Sequence, residues 1–167
     1  MNKNICFLNI LSNGKNNSNK ICNKKTMYKY SNLTNLNYLI CECNENNCTD
    51  ICLYEEKIKS RLLCNSNDYI FNIEDILNNF ISNINNVDII IIYDALSEFN
   101  ILINECLRYC IDIDLSKFCI INLNNLIFDN SNMTLKELYN IKFDIKDTTD
   151  ILMLKELFFE LYKNYYI

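Results

Sequence analysis

Val87 to Arg108, VDIIIIYDALSEFNILINECLR, is the stretch that decides the fold. Its first half is apolar apart from Asp88 and too short to span a membrane, so Val87 to Tyr93 reads as a fully buried strand. From Leu96 the period changes. Phe99, Leu102, Ile103, Cys106, Leu107 and Cys110 recur at three- and four-residue steps, which is one face of a helix. A buried strand feeding an amphipathic helix through a short turn is half of a strand–helix–strand unit, and such units build covered, largely parallel sheets. Ligands in such sheets bind where strands end and helices begin. The polar residues at that junction are Tyr93, Asp94, Ser97, Glu98 and Asn100.

Upstream, Asn4–Ser12 reads as a first strand ended by the turn pair Asn13-Gly14. Ile21–Tyr30 and Leu36–Cys43 read as two more, and short links between three successive strands imply antiparallel pairing. Residues 44–52 read as a Cys- and Asn-rich loop, and Glu55–Cys64 as a short helix. Asn72 is a good N-cap for a helix whose apolar stripe is Ile73, Ile76, Leu77, Phe80, Ile81 and Ile84. Downstream, Cys119–Leu123 reads as a strand, and Thr134-Leu-Lys-Glu137 as a capping box opening a short helix. A final helix is expected from about Thr148 to Tyr165, with Ile151, Leu154, Leu157, Phe158, Leu161 and Tyr162 inward. Strands first, then alternating helix and strand, predict an α/β fold: a mixed sheet of about five strands, the first three antiparallel, flanked by helices in one domain over residues 1–167.

Composition bounds the chemistry. The chain has 167 residues, half of them hydrophobic, which is enough for one domain with a substantial core. Asn, Ile, Lys and Tyr are abundant, while Gly14 is the one glycine and there is no Pro, His or Trp, the residue set that AT-rich codons encode. Absence of His removes the commonest general base and metal ligand, and with it any Ser–His–Asp or Cys–His nucleophile. A net charge of −5 argues against tight sequence-independent nucleic-acid binding. The charge is uneven, however, and a basic N-terminal run (Lys15, Lys20, Lys24, Lys25, Lys29) offers either a phosphate-contacting face or a solvated one.

The N-terminal apolar run Ile5–Leu11 is interrupted by Asn9 and has no small-residue cleavage site, so no signal peptide is expected. The ten cysteines then read as free thiols in a reducing, intracellular compartment, and no membrane association is expected. Cys41, Cys43, Cys48 and Cys52 lie within twelve residues; four thiolates suit tetrahedral zinc, but the spacing is not the paired pattern of zinc ribbons, and buried or idle thiols are the simpler reading. Cys106 and Cys110 read as core.

The order of elements resembles the ribonuclease-H-like 3′–5′ exonucleases of the DEDD superfamily, the proofreading-exonuclease group, over nearly the whole chain. Phe7-Leu8-Asn9-Ile10-Leu11-Ser12-Asn13-Gly14 has the spacing of that family's FLDxETTG, and Gly14 falls on its glycine. Ile91–Tyr93 leading to Phe99-Asn100-Ile101-Leu102-Ile103 is similar to its second motif, a buried strand followed by HNxxFDxxFL. Asp150 opens a last helix, DILMLKELFFELY, like the family's third.

The resemblance implies hydrolysis of phosphodiesters by two Mg²⁺ or Mn²⁺ ions held by four carboxylates. Here the matching positions carry Asn9, Leu11 and Asn100, the general-base position carries Ile145, and Asp150 alone is retained. A catalytically degenerate protein that binds a protein or nucleic-acid partner, with no cofactor, is the expectation. The alternative is an active nuclease whose carboxylates have moved to Asp94, Glu98 and Asp147 beside Asp150. Helix capping and dipole complementation also account for acids at those positions.

Overall fold

The computed structural model describes residues 2–13, 31–44, 47–58, 73–126, 133–143 and 148–161. Five strands form one sheet in the order β3-β2-β1-β4-β5. They are β1 (Lys3–Asn13), β2 (Asn32–Cys43), β3 (Cys48–Lys57), β4 (Ile89–Ile92) and β5 (Cys119–Asn122). Strands β1, β2 and β3 pair antiparallel, while β4 and β5 run parallel to β1. This is a mixed α/β sheet of ribonuclease-H-like layout, with the antiparallel start and parallel continuation expected from the sequence. Helices α1 (Ile73–Asn83) and α2 (Ala95–Arg108) cover one face; α3 (Leu135–Lys142) and α4 (Asp150–Leu161) cover the other.

The central strands are buried on both sides, which is why they read as continuous apolar runs. All four residues of β4 are buried, and in β1 everything from Ile5 to Ile10 is buried, Asn9 being the one polar member. Alternation divides β1 between two cores. Cys6, Leu8 and Ile10 meet Leu77 and Phe80 of α1 and Leu102 of α2, whereas Ile5 and Phe7 meet Leu154, Leu157 and Phe158 of α4.

Several expectations change. Within the stretch given to a loop and a short helix, residues 59–64 lie outside the described residues, and Cys48–Lys57 is instead β3, a ten-residue edge strand. A β-bulge between Ile40 and Cys41 breaks its two-residue period, leaving Ile51 as an extra residue that is exposed, and this masks the strand pattern. The predicted strand Ile21–Tyr30 and the N-cap Asn72 lie outside the described residues, as does Tyr162; β2 begins at Asn32, four residues before the expected Leu36. The capping box at Thr134 and Glu137 is present in full.

Cys110 is exposed, not core. Helix α2 ends at Arg108. The N–H of Ile111 donates to Cys106 O at 2.9 Å and that of Cys110 to Leu107 O at 3.3 Å, a Schellman closure that puts Cys110 at φ 56°. That left-handed position favours glycine. Cys110→Gly is expected to raise stability by about 0.5–1 kcal/mol, read as a higher denaturant midpoint.

The cysteines are not all free either. Cys43 and Cys48 face each other across the β2–β3 hairpin and form a disulfide, so the expectation of free thiols fails at these two positions, and the compartment inferred from it loses that support. Among the described residues no helix is long and apolar enough to cross a membrane.

Candidate functional site at the carboxyl ends of β1 and β4

Two parallel strands of unequal length create the site. Pairing between β1 and β4 stops at Leu8 opposite Ile92, yet β1 continues to Asn13. Among the described residues no strand lies beside β1 on that side beyond Leu8, and buried N–H groups there need other acceptors. The first turn of α2 provides one. Glu98 is 8% exposed, and its Oε2 accepts from Ile10 N at 2.7 Å while its Oε1 accepts from Asp94 N at 3.2 Å. Asp94 is the N-cap of α2, its Oδ1 accepting from Ser97 N at 3.3 Å.

On the other face of β1, Asn9 is buried and its Nδ2 donates to Oδ2 of Asp150, the first residue of α4, at 3.4 Å. Leu11, two residues on, is 40% exposed. Asn100 is half-buried on α2, where it is engaged in contacts of its own. Ile145 and Asp147 lie outside the described residues. The chain therefore brings together Asn9, Asp94, Glu98 and Asp150, from three elements distant in sequence.

Electrostatics sets what this group can do. Burial pushes the Glu98 carboxyl up to about 8; the two backbone N–H groups oppose that rise, and the charges of Asp94 and Asp150 add to it. At neutral pH Glu98 is therefore largely protonated. Two divalent cations held close together need several anionic oxygens free to turn toward them. Here one oxygen donor is an amide whose nitrogen is aimed at Asp150, one position is a hydrocarbon, and both Glu98 oxygens already accept backbone hydrogen bonds. The donor set among the described residues does not fit a two-cation centre. Among the described residues no three acidic or cysteine side chains converge as metal ligands.

The cysteines of the proposed zinc set do not converge. Cys41, Cys43 and Cys48 lie on the α3/α4 face of the sheet, but Cys52 packs into the α1/α2 core. The bulge at Cys41 shifts the register, so Cys52 stands opposite Ile40 and Asp50 opposite Cys41. The Cys41 thiol donates to Asp50 Oδ1 at 3.1 Å, and Lys155 of α4 reaches the same oxygen at 2.5 Å. Burial, helped by that hydrogen bond, pushes the Cys41 thiol up to about 12, far from a reactive thiolate.

Sequence reasoning did not single out a second buried polar group on α2. Glu105 is 3% exposed, accepts from Leu33 N at 3.2 Å and pairs with Arg108, whose Nη1 also donates to Ser31 O at 3.3 Å. The available signal was an acid on the apolar side of a helix with an arginine three residues later. Thus α2 is fastened to β1 at its start and to β2 near its end, both times by a glutamate accepting a strand N–H. No protein-family model matches this chain and no curated protein matches its sequence, so a functional reading stands on the sheet topology and on the side chains gathered where β1 and β4 end.

Proposed function

We propose that this chain is a catalytically degenerate 3′–5′ exonuclease-like protein, a domain that holds a protein or nucleic-acid partner and does not hydrolyse phosphodiesters. One observation carries the reading. Where the resemblance puts metal-binding carboxylates on the first strand and the last helix, Asn9 donates its amide to Asp150. A direct hydrogen bond thus joins two elements that a shared cation would otherwise bridge. The sheet order supports the exonuclease-like part of the reading, because the site lies at the carboxyl ends of adjacent parallel strands.

The test is a 3′-labelled oligonucleotide, DNA and RNA in turn, incubated with the protein in Mg²⁺ or Mn²⁺. No shortening is expected, and millimolar Mn²⁺ is expected to leave the unfolding midpoint in place, since an ion that does not bind the folded state cannot stabilise it. Degradation abolished by Asp150→Ala overturns the proposal. If the partner is nucleic acid, binding falls steeply with salt and is lost when Lys15, Lys20, Lys24, Lys25 and Lys29 become Gln. Binding that ignores those substitutions removes the basic run from the reading.

A second reading, an active nuclease using Asp94, Glu98, Asp147 and Asp150, draws on the closeness of Asp94 and Asp150 to Glu98. It requires Glu98 to exchange two backbone donors for a cation. Under that reading Glu98→Gln removes both Mn²⁺ binding and oligonucleotide shortening.

A further inference from the structure

We propose that the Cys43–Cys48 disulfide is a redox-operated clasp whose reduction releases the β3 arm of the hairpin tip, Cys48 to Asp50, from helix α4. The hairpin is divided by its bulge. Six residue pairs, from Asn35–Lys57 to Ile40–Cys52, belong to the regular ladder; three, Cys41–Asp50, Glu42–Thr49 and Cys43–Cys48, lie beyond the bulge and form the tip. Outside the disulfide, the β2 side of the tip is held by its ladder with β1 and by the Asn2–Glu42 hydrogen bond, whereas the side-chain ties of the β3 side run through Asp50: the Cys41 hydrogen bond and the Lys155 ion pair. The Asp50 side chain is 50% exposed, and ion pairs that exposed hold little in water.

The disulfide spans only five residues in sequence, so it restrains little of the unfolded chain and acts as a local fastener. Its two sulfurs differ in access, Cys43 being 1% exposed and Cys48 half-buried, so a reagent arrives at Cys48. Cys41, held as a thiol by Asp50, takes no part in the exchange.

The reductant is a dithiol. Its thiolate attacks Cys48 Sγ, the Cys43–Cys48 bond breaks, and Cys43 leaves as a thiolate that takes up a proton. The second thiol of the reagent then attacks the mixed disulfide and frees Cys48, which is protonated in turn. Two electrons and two protons pass to the protein, and the reagent departs as a cyclic disulfide.

This inference is independent of the proposed function, and so is its test. The full chain, purified in air, is compared with and without dithiothreitol by alkylation and by amide hydrogen exchange. Reduction is expected to expose two further alkylatable cysteines, Cys43 and Cys48. Amides from Cys48 to Ile51 should exchange roughly ten-fold faster or more, with those of α2 unchanged. Cys43→Ser/Cys48→Ser should show the fast exchange without reductant, its α2 amides reporting an intact fold. Unchanged exchange at the tip, equal acceleration throughout α2, or free Cys43 and Cys48 in the air-purified protein each overturns the clasp.

Discussion

Glu98→Leu is expected to lower the unfolding free energy by about 2–5 kcal/mol at pH 6, because it leaves the buried N–H groups of Ile10 and Asp94 without acceptors, at roughly 1–3 kcal/mol each. Glu98→Gln keeps one acceptor and cannot ionise, so it should cost about half as much. The pH dependence separates this from ordinary packing loss. The Glu98 carboxyl titrates near 8 in the folded chain against 4.5 for the unconstrained group, so between those values the folded state binds the extra proton. The stability this confers is complete below pH 4.5 and declines as pH rises through 8, with a slope of up to about 1.4 kcal/mol per pH unit. Denaturant midpoints measured from pH 5 to 9 should therefore fall for the native protein and fall less for Glu98→Gln, the two curves converging at the alkaline end. Parallel curves would mean that Glu98 is ionised in the folded chain at neutral pH.

Arg108→Ala should be the other severe substitution, at about 3–5 kcal/mol, since it strands the buried Glu105 carboxylate with a single backbone donor. Most of that loss is the penalty of an unpaired charge, so Arg108→Ala/Glu105→Gln should recover part of it: the double variant keeps an acceptor for Leu33 N and carries no buried charge. Arg108→Lys should fall between, keeping the positive charge but losing the reach to Ser31 O. Urea midpoints of the native protein, Arg108→Ala, Glu105→Gln and the double variant close the cycle. Simple additivity of the two single effects would show that Glu105 and Arg108 do not act as a pair.

The fold was largely legible because its signals are local. The isoleucine run at β4, the change to a helical period in α2 and the Thr134 capping box each depend on a few consecutive residues, and each lies where expected. The misreadings share a different origin. β3 looked like a loop because an edge strand needs only one apolar face and its bulge interrupts even that. Cys110 continued the apolar period of α2 in the sequence, but the helix ends at Arg108, its closing bonds accepted by the carbonyls of Cys106 and Leu107.

The site was half legible. Asp94 and Glu98 were expected at the strand–helix junction and Asp150 at the start of the last helix, and each lies there. The burial of Glu98 was not foreseeable, since it follows from β1 outrunning β4, a mismatch between strands some eighty residues apart. The separation of Cys52 from its neighbours was hidden for the same kind of reason, a register set by pairing and not by spacing.

The two glutamate fastenings of α2 also bear on how fast this chain reaches its native form. Glu98 meets Ile10 across 88 residues and Glu105 meets Leu33 across 72. Neither contact can form until most of the intervening polypeptide has been looped, so both add to the mean contact separation that slows folding. Bonds completed after the barrier restrain the return journey. A chain built this way collapses into place late and, once seated, lets go slowly.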